Sequence, residues 1–438
     1  MSNEVPSAAL AGAALDRPPA PPGTALTVQP KASGRWVLLL ILAIFGAYIA
    51  WVTPIGVSLA IQVNALAPDH EEYLGIVLGI GSASTMVFGP FFGQLSDRTR
   101  SRLGRRRPWI IGGTLVGAAG LVAMAAAPSV SLLCAAWVLA QIGWSQAANN
   151  LVTLQADRLP ESQRGKVAGF AGFATMVAPV LGAVIAGSFA ADPFLLFLVP
   201  GAIGTVMMAL FVLLAREDDS RGLVITEALT AKSVLSKYGF DPRRYPDFAW
   251  NWIARFLFFF GLTLNTTYTA YFFASRLDIP VSKIGGTVAT VGIIGVAATI
   301  IGALGSGGLS DRLGRRKVFV VGSGLLFSLG TIVTVFADDL PQLIVGTFVC
   351  NLAIGVFSAV DQALFIDVLP ERDTDAGRFI NLTQFAVAIP QSIAALVAAA
   401  LLAVGAAGGE KNYTAVYVAA AICTAVGGSL VTRIKSVR

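Results

Sequence analysis

Twelve stretches of the chain are predominantly apolar, and short polar runs separate them. They cover residues 36–63, 73–96, 108–128, 131–154, 166–188 and 194–215, then 247–274, 283–306, 317–337, 341–365, 378–404 and 413–433. Each has about 20 residues or more, enough to cross ~30 Å of hydrocarbon as a helix rising about 1.5 Å per residue. The pattern predicts an all-α membrane protein with twelve transmembrane helices. The polar stretch 216–246 falls between the sixth and seventh. It reads as a cytoplasmic linker between an N-terminal six-helix bundle over 36–215 and a C-terminal one over 247–433.

The two bundles repeat one another. The loop after the second helix carries Gly93, Ser96, Asp97, Arg98, Gly104, Arg105, Arg106 and Arg107. The loop after the eighth answers with Gly307, Ser310, Asp311, Arg312, Gly314, Arg315, Arg316 and Lys317, four residues shorter. Asp157-Arg158-Leu159-Pro160-Glu161 and Asp367-Val368-Leu369-Pro370-Glu371 stand 210 residues apart, the same offset as Gly104 and Gly314. Gly93 and Gly307 let helices approach closely. Asp97 and Asp311 fall at helix C-termini, where the dipole disfavours a carboxylate. Each therefore calls for an arginine or the N-terminus of another helix as partner. Parallel repeats of this kind place a substrate cavity between the halves, near the midplane.

Charge fixes the expected orientation. With both termini inside, 27 of the 31 Lys and Arg fall on the cytoplasmic side. Arg276, Lys283 and Lys411 fall outside and Arg255 within the seventh helix, a bias that obeys the positive-inside rule. The expected location is the inner (plasma) membrane, multi-pass. Residues 1–35, rich in Ala and Pro, predict a disordered cytoplasmic tail with no cleavable signal peptide, and 434–438 a second short tail. Hydrophobic residues are 55% and charged ones 13% of the chain. A soluble domain carries roughly 25% charged residues, so the composition belongs in a bilayer. The net charge of +6 follows topology and is no nucleic-acid footprint. Cys134, Cys350 and Cys423 lie in apolar segments at unrelated spacings, which excludes a disulfide or metal framework. The one histidine, His70, lies in a loop, which excludes a histidine relay in the membrane and a Ser/His/Asp triad. No Walker loop is present. No cofactor and no metal are expected, and the chain is read as a transporter, not an enzyme.

Polar side chains inside membrane helices are costly and face protein or a water-filled cavity. Tyr48, Trp51, Gln141, Trp144, Asn149, Asn265, Tyr268 and Gln384 supply amides, hydroxyls and aromatic faces, the groups that a sugar needs. The same residue types also glue helices together or anchor the interface. Arg255 binds an anionic substrate, balances a carboxylate or snorkels to the surface. Asp361 is the one carboxylate well inside a span. It is the candidate for proton coupling, with a structural partnership to an arginine as the other reading.

The paired loops resemble the signature loop of the major facilitator superfamily, between helices 2 and 3 and between helices 8 and 9. The longer copy, Ser96-Asp97-Arg98-Thr99-Arg100-Ser101-Arg102-Leu103-Gly104-Arg105-Arg106-Arg107-Pro108, resembles the sucrose–proton symporters and their glycoside–pentoside–hexuronide relatives. The stretch from Asp367 through Arg378 to Gln391 is similar to the loop 10–11 and helix 11 pattern of bacterial members of that branch. The resemblance implies proton-coupled uptake of a sugar or glycoside by alternating access, in a monomer whose partners are the solute, protons and the lipid bilayer. The alternative on the same fold is a proton-driven exporter of drugs or metabolites. The conformational switch is expected at Gly93, Asp97, Arg98, Gly104, Arg105, Arg106, Asp311, Arg312, Gly314, Arg315, Asp367, Glu371 and Arg378. Sucrose symporters carry an acid in helix 1, and this chain has none between Trp36 and Asn64.

Overall fold

A computed structural model describes residues 31–215, 219–222, 240–370, 376–403 and 411–437. The described residues are helical, in the order α1 (Gly34–Leu66), α2 (Glu72–Asp97), α3 (Arg107–Ala125), α4 (Val130–Arg158), α5 (Glu161–Ser188) and α6 (Pro193–Leu214). The second half runs α7 (Pro246–Thr267), α8 (Gly285–Leu313), α9 (Arg316–Val335), α10 (Leu340–Val368), α11 (Ala376–Ala403) and α12 (Tyr413–Leu430). A short helix, Thr269–Leu277, prolongs α7 after a break at Tyr268. Eleven of these helices are long and apolar enough to cross a membrane. The twelfth, α7, has the length, 22 residues, but it carries Asp247, Asn251, Arg255 and Asn265.

The helices start where side chains accept the orphan N–H groups of a first turn. Ser33, Ser129, Asp192, Asp339 and Asn412 do this for α1, α4, α6, α10 and α12. Ser33 and Ala32, whose backbone bonds the Gln163 amide on α5, belong to the folded part and not to the expected tail. Residues 1–30 and most of the linker lie outside the described residues. Ser220, at the linker's start, bonds back to the first basic loop through Ser101 N–H at 3.0 Å.

Proline breaks α1. Pro54 has no N–H for the helix ladder, and the chain widens into a π turn over Pro54–Ser58, where Leu59 N–H reaches the Pro54 carbonyl. Small residues bring helices together within each half. A Cβ on Gly143 of α4 would lie 2.2 Å from the Gly117 nitrogen of α3, and one on Gly355 of α10 would lie 2.1 Å from the Thr299 carbonyl of α8.

The two ends of the molecule differ. On the face that carries Glu71 and Lys411, here the acidic face, the halves close on each other. A Cβ at Gly75 of α2 would sit 2.5 Å from the Ala395 carbonyl of α11, and one at Gly285 of α8 would sit 2.5 Å from Gly187 Cα of α5. On the face of the arginine loops, here the basic face, the same helices stand apart. Gly89 and Gly93 of α2, Gly169 of α5 and Gly305 of α8 would meet nothing within 4 Å. Among the described residues the halves are therefore packed together at the acidic face and apart at the basic one.

Candidate functional site

The basic loops are tight hairpins. Gly104 and Gly314 have φ of 91° and 61°, the left-handed region where a Cβ is strained. In the first loop the chain turns back so that Arg106, only 4% exposed, becomes a hub. Its Nη2 meets Asp97 at 2.5 Å, its Nε meets Asp157 at 3.1 Å, and its Nη1 donates to Ser96 Oγ at 3.0 Å. Ser96 in turn donates to Asn150 on α4 at 2.5 Å. Arg105 reaches the same Asp157 at 2.7 Å. Asp97 thus has the partner that its place at a helix C-terminus requires. In the second half Arg316, rather than Arg315, binds Asp367 and the Ala363 carbonyl. Arg315 and Arg312 are exposed, without an ion pair among the described residues. Gly93 stands open on α2. The side chains of Asp311 and Arg378, and Glu371 altogether, lie outside the described residues.

The polar candidates of the helices form several groups, not one. Trp51 Nε1 donates to Gln141 Oε1 at 2.7 Å, and Tyr48 sets its ring edge-on to Trp51 at 5.7 Å. Asn149 on α4 and Gln384 on α11 are exposed. Asn265 lines a cavity of about 200 Å³ inside the second half, with Thr266, Thr269, Thr347, Asn351 and Tyr417. The Tyr417 hydroxyl there is buried without a partner among the described residues. Trp144 is fully buried, with its indole against Gly117 of α3. Tyr268 is also fully buried and bonds α2 at the acidic face, accepting from Gly75 N–H and donating to the Glu72 carbonyl, both at 3.2 Å. A feature that sequence reasoning missed is an aromatic ladder on α7. Trp252, Phe256 and Phe260 stack at 5.6 and 6.1 Å, four residues apart, half-buried.

Asp361 and Arg255 meet. The Arg255 Nε lies 3.3 Å from Asp361 Oδ2, with the carboxylate side chain 3% and the arginine 13% exposed. The Nε–H is poorly aligned and makes no hydrogen bond. The guanidinium also lies over Phe259 and Phe365, each at 5.9 Å. Asn251, one turn before Arg255, faces Asp361 and is itself buried. Two charges and an amide are thus held between α7 and α10 with little water. Such a cluster is costly unless each member keeps its partner.

The family model of the Major Facilitator Superfamily matches residues 36–306 and 296–436. The chain belongs to the major facilitator superfamily. It is 35% identical over 122 residues to a probable 4-methylmuconolactone transporter of Cupriavidus pinatubonensis, which covers 27% of this chain and 28% of that protein. It is 33% identical over 89 residues to the galactose–proton symporter of Escherichia coli K12, with 20% and 18% covered. The chain thus spans about a quarter or less of the length of these curated relatives. The solved structure of the nucleoside transporter NupG superposes with a TM-score of 0.73 at 13% identity, covering 91% of this chain and 98% of that one, which shows the shared fold.

This facilitator-family transporter closes its acidic face with a latch between the halves. Lys411, just before α12, donates to the Asp69 carbonyl at 2.8 Å and to Glu72 at 2.9 Å. Tyr413 donates its hydroxyl to Glu71. Tyr271 donates to the Ala60 carbonyl of α1 at 2.7 Å. His70 meets Glu72 at 2.8 Å. Burial pushes the Glu71 carboxyl above its ordinary value, and the Tyr413 hydrogen bond and the Lys411 charge offset only part of that.

Proposed function

We propose that this transporter takes up a small hydroxyl-rich solute, a sugar or glycoside, together with protons, across the plasma membrane. The basic face and both termini lie in the cytoplasm, by the charge bias of the loops. The observation that carries the reading is the buried Arg255–Asp361 pair between α7 and α10. A carboxylate that is sealed in this way and faced by a single guanidinium has two stable arrangements. Ionised, it holds Arg255. Protonated, it is tolerated in the low-dielectric interior and releases the arginine. Exchange between them gives alternating access a coupling ion. The open basic face with the pair formed corresponds to the state after proton release inside. Each chain has its own two halves and works as a monomer.

The solute class rests on the polar and aromatic side chains that the membrane helices carry. Trp51 and Gln141 present an indole and an amide fixed to each other, Tyr48 adds a ring, and Asn149 and Gln384 offer amides from the two halves. Asn265 lines a separate polar cavity inside the second half. Sugars take amide hydrogen bonds at their edges and an aromatic face on their apolar side. Similarity to a galactose–proton symporter supports the same class. An exporter of apolar drugs would have less use for these amides. Proteoliposomes with a panel of labelled sugars, with and without an inward pH gradient, test the proposal. Gradient-driven accumulation of a sugar is expected, and transport of none of the panel with uptake of aromatic acids instead would overturn the solute class.

A further inference from the structure

A second feature lies within the first half. Helices α2 and α3 both lean on α4 and diverge, which leaves a groove of about 500 Å³ between them. Its walls are Phe92 of α2 and Gly112 and Val116 of α3, and its floor includes Ile142 of α4. Its end on the basic face is built by Trp109, whose Nε1 donates to Thr99 Oγ1 at 2.6 Å and whose ring lies 5.9 Å from Phe92. The lining is almost wholly apolar. A Cβ on Gly112 would meet nothing within 4 Å, so the groove is open where a side chain would fill it. Val116 at 39% exposure and its neighbour Leu115 at 63% mark the wall that continues outward to the bilayer.

From Pro108 to Val116 is eight residues, or about 12 Å along the helix. That is most of the ~15 Å depth of one leaflet's hydrocarbon. At the mouth the arginines outnumber the carboxylates, and the exposed Asp97 is held by Arg106. Arg98 and Arg100 flank Thr99, and Arg102 follows. None of the three has an ion pair among the described residues, in contrast to Arg105 and Arg106, which are bound to Asp157 and Asp97. An apolar slot one leaflet deep, capped by an indole and topped by unpaired guanidinium groups, is complementary to one kind of molecule. We propose that the α2–α3 groove binds an anionic phospholipid of the adjoining leaflet, with an acyl chain between Phe92 and Val116 and the headgroup phosphate on the Arg98–Arg100 stretch.

Charge selects the headgroup and shape holds the chain. Each arginine near a membrane surface changes the binding of an anionic lipid about fivefold. The test uses the full chain in neutral detergent, titrated with phosphatidylglycerol or phosphatidylcholine brominated on an acyl chain, with tryptophan fluorescence as the readout. Saturable quenching by phosphatidylglycerol is expected at a severalfold lower concentration than by phosphatidylcholine, and Trp109→Phe should remove that component. Arg98→Gln with Arg100→Gln should erase the preference for the anionic lipid and leave weak quenching by both. Gly112→Leu, which has room for its side chain, should abolish saturable quenching by either lipid, and an unchanged melting temperature verifies its fold. Equal affinity for the two lipids in the parent chain would overturn the proposal. So would phosphatidylglycerol quenching that survives both Gly112→Leu and Trp109→Phe.

Discussion

Tyr413, the first residue of α12, donates its phenolic hydroxyl to Glu71, the residue before α2, and so ties one half of the molecule to the other. The two belong to opposite bundles, 342 residues apart. The bond exists only while the acidic face is shut. Its neighbours are all ionic or titratable: Glu72, Lys411 and His70.

The latch should respond to pH. Glu71 is buried when the face is closed, which raises its pKa, and solvated when the face opens. Closing therefore binds a proton. Its contribution is fully present below the ordinary carboxylate value and is lost as pH rises through the raised one. Spin labels on cysteines at Ala191 and Asp338, exposed on acidic-face loops of the two halves, should report a shorter mean distance in acid than at neutral pH. Glu71→Gln should flatten that dependence. A pH response equal to that of the parent chain would take the effect away from Glu71.

Gly75 should act as a wedge point. A side chain there has no room, with the Ala395 carbonyl and the Tyr268 hydroxyl both 2.5 Å from its Cβ. Gly75→Leu should push α2 from α11 and open the acidic face, lengthening the same label distance by several ångströms and slowing transport at least tenfold. A Leu variant with the parent's distance distribution would show that the contact yields without moving the halves.

Arg106 should be the most sensitive residue of the first basic loop. Arg106→Ala removes three polar contacts at once, although it leaves Asp97 and Asp157 within reach of water. The expected loss is about 1–3 kcal/mol, read as a lower melting temperature in detergent. Arg106→Lys keeps the charge but not the fork, and should recover less than half. Asp97→Asn should cost less stability than Arg106→Ala yet impair transport. Full transport in Asp97→Asn would remove the loop from the conformational switch.

Asp361 and Arg255 should fail together and recover together. Arg255→Ala strands a carboxylate that is 3% exposed, which costs about 3–5 kcal/mol. Asp361→Asn in that background should restore most of the stability. Alone, Asp361→Asn should abolish accumulation driven by a pH gradient and retain downhill exchange of labelled solute. Accumulation with an unchanged pH profile in the Asn variant would place the proton elsewhere.

The repeat, the twelve helices and the need of Asp97 for a positive partner were legible in the sequence, because each follows from local rules of length, dipole and charge, and the structure makes that partner Arg106 and not a helix N-terminus. The partner of Asp361 was legible only as one possibility among several arginines, since it depends on how α7 lies on α10. Trp144 and Tyr268 show where sequence stops. An aromatic residue in an apolar helix carries no mark of which neighbour it meets. Trp144 fills the space left by Gly117, and Tyr268 spans to α2. Arg315 and Arg316 are adjacent and chemically equal, and only the turn at Gly314 decides that the second reaches Asp367. The Glu71–Tyr413 bond joins two loops, so no periodicity points to it.

The π turn at Pro54–Ser58 sets a rotational phase within α1. One extra residue in a helix turns everything beyond it by about 100°. Below the turn α1 shows Tyr48 and Trp51 to α4, and beyond it the Ala60 carbonyl meets Tyr271 of the other half. A single rod therefore addresses its own bundle at one end and the opposing bundle at the other, which a uniform α-helix with the same residues would not do in that register. Removing one residue at Gly56, where a side chain would meet nothing within 4 Å, would bring the two ends back into step and turn Ala60 away from its partner.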